Sequence, residues 1–253
     1  MGIKEKYKDV YKATLSATPK IKSISFEEKY AAVYEDASNV VNNFLNNPTA
    51  TGNYKASKDV IKNMVDTVLD NEFTIKSLHS IARHDYYTHT HSVNVAVYSL
   101  SLGSFLEFRH EALLELGEAA LLHDLGKSKI DAAIINKNGK LTDGEFEKIK
   151  KHPVLGYTIG VNLGIKNKRV LDGIKHHHEK IDGSGYPYKL KGENIPYYAR
   201  IIGVCDIFDA LTSKRSYKEA MSVKDALLLM KTNMKEHVDN RLLKKMMNMI
   251  GDV

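Results

Sequence analysis

Of the eleven histidines in this chain, several fall in phase with apolar residues at helical spacing. His91 recurs with Val95, Tyr98 and Leu102; Leu116 and Ala120 lead to His123, with Asp124 beside it. Val170 and Ile174 lead to His177 and His178, and Ile202 is in phase with Asp206 and Asp209. Residues three and four apart share one face of a helix, so four expected helices each carry imidazole or carboxylate on an apolar side. A buried ionisable group is costly unless it is paired or bound to a cation. Inward imidazoles and carboxylates on facing helices are how a metal centre is built inside a helical bundle, so divalent-cation chemistry is expected here.

Adjacent positions on a helix diverge by about 100°, so His177 and His178 are expected to serve two different ions. Asp124 has two oxygens where an imidazole has one lone pair, and is the expected bridge between those ions. Nitrogen and oxygen donors without sulfur suit iron, manganese or zinc. The stretch "HEKID" lacks the second histidine of a zinc-peptidase HExxH motif, which excludes that class.

Positioning these residues requires helices, and the rest of the chain supplies the pattern. Val60, Met64 and Val68, then Leu113, Leu116 and Ala120, then Val223, Leu227, Met230 and Met234 recur at helical rather than alternating intervals. The expected fold class is all-α. The break "NNPTATGN" at 46–53 suggests a division. Residues 1–56 are expected to form a small N-terminal helical segment or linker, a remnant of a regulatory region, and residues 57–253 the domain that carries the site. The turns "NKNGKLTDGE" and "DGSGYP" lie inside that domain. Met221, Met230, Met234, Met246, Met247 and Met249 are expected to fill gaps in its core.

The 253 residues suffice for a sizeable core, with 43% hydrophobic and 27% charged residues, which excludes a disordered chain. A single cysteine, Cys205, excludes an internal disulfide and a thiolate cluster. No apolar run is long enough to span a membrane and the first residues lack a signal-peptide core, so a cytoplasmic location is expected. The net charge of +6 is spread over helix-forming stretches such as "KIKKH" and "KNKR", which favours a small anionic ligand over a nucleic acid polymer. Composition sets no oligomeric state.

In order and spacing, "LLHDLGK", "LTDGEFEKIKKHPVLG", "HHEKIDGSGYP" and "DIFDALTSKRSYK" resemble the signature of the HD-GYP family, within the HD superfamily of metal-dependent phosphohydrolases, over residues from about 59 to 250. The resemblance implies a helical bundle of HD-domain type that hydrolyses cyclic di-GMP to linear pGpG, and onward to GMP. It implies a two- or three-metal centre, usually of iron or manganese, with zinc, nickel and magnesium as alternatives. The implied ligands are His91, His123, Asp124, His152, His177, His178 and Asp206; His152 enters on the resemblance alone. His176 falls outside the ligand pair. Asp124 and His123 are expected at the reaction itself. A hydroxide supplied by the metals is the expected nucleophile, with Lys127 neutralising charge on the phosphoryl oxygens.

Arg215 and Lys218, three apart, are expected to bind substrate phosphates, with Ser216 between them where many members have proline. Gly185 and Tyr186 belong to the loop that meets the substrate, and Asp209 is expected to orient a ligand. Family members with three metals carry a glutamate where this chain has Tyr87, so two metals are expected. The resemblance also implies contact with GGDEF-type diguanylate cyclases or other signalling proteins. A slow cyclic di-GMP receptor and a phosphodiesterase for cyclic GMP-AMP are the alternative functions.

Overall fold

A computed structural model describes residues 25–70, 88–137, 139–214 and 219–251. Tyr87, Arg215, Ser216 and Lys218 lie outside the described residues, as do residues 1–24 of the expected N-terminal segment. Among the described residues every regular element is helical, as the apolar spacing requires.

Helix α1 (Phe26–Asn46) starts at a capping box in which Ser25 and Glu28 exchange side-chain and backbone hydrogen bonds. It pairs with α2 (Thr51–Leu69). Helix α3 (Thr88–Phe105) is buried on every side from His91 to Gly103, which places it at the centre. It touches α1, α2, α4 (His110–Leu121), α9 (Tyr197–Thr212) and α11 (Asn240–Ile250). Between these run the short helices α5 (Ala132–Ile135) and α6 (Asp143–Ile149), then α7 (His152–Asn162) and α8 (Lys168–His176). Helix α10 (Val223–Asn233) packs on α9 and α11. Met230 and Met246 are fully buried there, with Met221, Met234, Met247 and Met249 packed around them.

The break at 46–53 is a tight turn, and α2 begins at Thr51 and runs through position 56. Tyr30, Val33, Ala37, Val41 and Phe44 of α1 join the same hydrophobic core as α3 and α4. Helix α2 is tied to α4 by Glu118, which accepts from Tyr54 Oη at 2.8 Å and pairs with Lys58. Helix α1 also packs on the 3-10 turn Leu125–Lys129, directly after Asp124. Helix α1, which precedes position 56, thus packs directly against the turn that follows Asp124.

Candidate metal centre

Three of the implied ligands are set by the same local device. The last carbonyls of a helix have no partner within it. His123 Nδ1 donates to Ala120 O at 2.7 Å, His152 Nδ1 to Ile149 O at 2.7 Å and His177 Nδ1 to Ile174 O at 2.8 Å, each reaching back three residues to a helix end. His91 Nδ1 donates instead to Asp209 Oδ2 at 2.7 Å. A carbonyl or ionised carboxylate can only accept, so all four imidazoles carry their proton on Nδ1 and turn an Nε2 lone pair the other way.

Those lone pairs converge. His152 Nε2 and His177 Nε2 stand 3.2 Å apart, and the ring centroids of His123 and His177 are 4.9 Å apart. Asp124, buried to 1% exposure, lies between the rings. Its Oδ1 is 3.2 Å from His152 Nε2, and its Oδ2 is 3.4 Å from His123 Nε2 and 3.6 Å from His91 Nε2. Asp206 spans a second gap, with Oδ1 3.2 Å from His91 Nε2 and Oδ2 3.5 Å from His178 Nδ1. The donor atoms fall into two groups: Asp124, His152, His177 and His178 in one, and His91, His123 and Asp206 in the other.

This donor set fits divalent cations. Two facing lone pairs at 3.2 Å repel unless a positive charge lies between them. His123 Nε2 and Asp124 Oδ1 are buried and make no hydrogen bond, a costly condition that a cation would relieve. Burial holds the His177 imidazole well below its ordinary pKa and that of His178 down to about 3, so both are neutral and able to ligate at pH 7. Burial alone would raise the Asp124 carboxyl, but Lys127 and the surrounding imidazoles together hold it well below the usual range. Asp206 is likewise held down against its burial by His91 and His178, so both carboxylates are ionised.

His177 and His178 fall in one donor group, and His178 Nδ1 also faces Asp206 Oδ2 of the other group at 3.5 Å. Helix α8 ends at His176 and His177 is its C-cap, so the 100° divergence of helical neighbours does not carry across the pair. Their rings are tilted by 46° with centroids 4.1 Å apart. His176 turns away, toward Glu179 and the ring of Tyr188.

Lys127, at the 3-10 turn, donates to Asp124 Oδ2 at 2.6 Å and so belongs to the site rather than to the surface. Asp209 is fully buried, accepting from His91 Nδ1 and, through Oδ1, from Asn94 Nδ2 at 2.8 Å and Ser213 Oγ at 3.0 Å. Tyr34 Oη of α1 donates in turn to Asn94 Oδ1 at 2.7 Å. Asn94 and Tyr34 escaped the sequence reading; Asn94 had a signal, three residues after His91 on the same helix, whereas Tyr34 had none. Asp209→Asn, with a neutral acceptor behind His91, is expected to weaken metal binding by about 10–100-fold while the protein stays folded. Metal titration with calorimetry of both proteins would check this, and equal affinities would contradict it.

The "DGSGYP" loop folds back over His178. A side chain at Gly185 would put its Cβ 2.4 Å from Lys180 N and 2.5 Å from His178 O, so only glycine permits this approach. Tyr186 N donates to His178 O at 3.2 Å, and the Tyr186 ring lies 4.7 Å from that of His178. Burial, with Asp206 and Asp124 nearby, pushes the Tyr186 phenol up, so it remains an O–H donor. Glu179, which sequence reading passed over, clasps the loop by accepting from Tyr188 N at 2.7 Å and Leu190 N at 3.0 Å.

A site of this composition has counterparts among known proteins. The chain is 35% identical over 195 residues to a cyclic di-GMP phosphodiesterase, PA4108, of Pseudomonas aeruginosa, covering 77% of this chain and 47% of that protein. It is 38% identical over 170 residues to 3'3'-cGAMP-specific phosphodiesterase 3 of Vibrio cholerae, covering 66% and 36%. The chain thus spans less than half the length of these curated relatives. The solved structure of Bd1817, an HDG"Y"P protein from Bdellovibrio bacteriovorus, superposes with a TM-score of 0.76 at 17% identity, covering 92% of this chain and 75% of that one, a likeness of fold. The family model described as HD domain matches residues 67–242, and on that match, with its paired His123 and Asp124 at the centre of the donor cluster, the chain belongs to the HD domain family.

Proposed function

We propose that this chain is the catalytic part of a metal-dependent phosphodiesterase that opens cyclic di-GMP to linear pGpG, and onward to GMP. The two donor groups, Asp124, His152, His177 and His178 in one and His91, His123 and Asp206 in the other, would hold two divalent cations, iron or manganese. The observation that supports this reading most is the fixed Nδ1–H tautomer of His91, His123, His152 and His177, which aims four Nε2 lone pairs at a pair of ionised carboxylates. When bound, such cations supply Lewis-acid chemistry: they neutralise phosphoryl charge and make a water acidic enough to ionise near neutral pH.

The chain's own side chains do the rest. Lys127 adds a positive charge beside Asp124, where charge grows on the phosphoryl oxygens. Asp209 holds His91 in the tautomer that can ligate, and Tyr186 offers a neutral O–H and an aromatic face at the rim. Arg215 and Lys218 hold the substrate phosphates on the reading of the sequence. A GGDEF-type diguanylate cyclase as partner and a cytoplasmic setting belong to the same proposal. No described helix is long and apolar enough to cross a membrane.

The likeness to a cGAMP-specific enzyme favours cyclic GMP-AMP as a second substrate. The test is anaerobic incubation of iron- or manganese-loaded protein with each cyclic dinucleotide, followed by chromatography of the products. Cleavage of cyclic di-GMP supports the first reading, and cleavage of cyclic GMP-AMP alone supports the second. Binding without cleavage of either would make the chain a receptor. Metal analysis of the same protein is expected to return about two equivalents per chain, given two donor groups; three would overturn the dinuclear reading.

A further inference from the structure

Phe146 belongs neither to the hydrophobic core nor to the metal centre, yet it meets Tyr186, the ring that packs on His178. The residue is 43% exposed, and its ring lies 6.3 Å from that of Tyr186, with the two planes at 82°. Tyr186 in turn rests on His178 at 4.7 Å. Helix α6, which carries Phe146, is firmly set. Thr142 and Glu145 form a capping box, and Glu145 pairs with Lys137 across the preceding turn at 2.6 Å. The ammonium of Lys150 lies 4.9 Å from the centre of the Phe146 ring.

We propose that Phe146 and Tyr186 form a purine subsite: two rings at a right angle make a corner in which a base stacks on one ring and presents its edge to the other. Aromatic pairs favour both of these geometries, and stacking accepts any purine because each base has a π face. The position suits a nucleotide. With a phosphodiester at the donor cluster, the attached base is one ribose away, and a single ring, that of Tyr186, stands between His178 and Phe146. Lys150, whose ammonium lies over the Phe146 ring, is itself paired with Glu147 Oε1 at 2.6 Å. This assignment rests on the proposed reading of the cluster as a phosphodiester site.

The test compares Phe146→Leu, Phe146→Trp and the unaltered protein, all metal-loaded and with matched melting temperatures. Calorimetry measures binding of GMP and of ribose 5-phosphate, which share the phosphate and sugar but differ in the base. Phe146→Leu is expected to weaken GMP by about tenfold and to leave ribose 5-phosphate unchanged, the loss of one stacking partner. Phe146→Trp is expected to restore GMP binding. Equal GMP affinity in Phe146→Leu, or equal loss of both ligands, would overturn the subsite. Failure of the intact protein to cleave cyclic di-GMP would instead count against the proposed reaction, since the two binding measurements do not depend on turnover.

Discussion

Asp124→Asn is expected to leave the protein folded but reduce bound metal to at most one equivalent per chain and lower phosphodiester turnover by about a thousandfold. Asp124 faces His152 with one oxygen and His91 and His123 with the other. Asparagine keeps the shape, but it has one carbonyl oxygen and no charge, so it cannot serve both donor groups. The predicted loss corresponds to about 4 kcal/mol of transition-state stabilisation, the scale of a lost Lewis-acid contact. Metal analysis, circular dichroism and product chromatography on one preparation would separate loss of metal from loss of fold. Full metal occupancy with unchanged turnover would refute the assignment of Asp124.

Gly126→Ala is expected to be the most damaging glycine-to-alanine change among the described residues. A Cβ there would sit 1.9 Å from His152 O and 2.5 Å from Gly156 N. Both are backbone atoms, which cannot rotate aside. The turn after Asp124 and the start of α7 touch main chain to main chain, and this contact brings His152 to Asp124. Separating them costs about 3 kcal/mol of stability, the upper end of overpacking effects, or about 6–12 °C in melting temperature for a chain of this size. Metal affinity should fall with it, as His152 leaves the cluster. Gly144→Ala is the contrast: nothing lies within 4 Å of its added Cβ, in the first turn of α6. That change should be neutral or stabilise by up to about 1 kcal/mol. Equal melting temperatures for the two variants would remove the basis for the His152–turn contact.

Both glycines stand in stretches that resemble family motifs, and the sequence does not distinguish them. Gly126 meets residues 26 to 30 positions further on, a proximity that no local pattern encodes. The same limit explains the mixed legibility of the site. His91, Asp206 and Asp209 were readable because they lie within long helices, α3 and α9, where phase with apolar neighbours is reliable. His123 and His177 were found by extending a helical phase past the true ends of α4 and α8. The extension reached residues of the donor cluster because each imidazole closes its own helix by bonding back three positions. It does not reach the relation between His177 and His178, which depends on geometry beyond the helix end.

His152 shows no apolar phase and needed the family resemblance. The division expected near residue 56 followed a real turn, but the turn joins two helices packed on one core, and Tyr34 from the first reaches Asn94 behind His91. Loop composition marks where a chain bends and is silent on whether the parts it joins separate.

By itself the sequence determined the helical class, the types of donor available and the chemistry open to them, because periodicity and side-chain functional groups are local properties. The tertiary structure alone decided which donors meet, which oxygen of Asp124 faces which imidazole and which ring nitrogen of His91, His123, His152 and His177 meets an acceptor. Those outcomes depend on distances across the fold: Asp209 sets the tautomer of His91 from 118 residues away. Only the packing of α3 against α9 brings that carboxylate and imidazole to 2.7 Å.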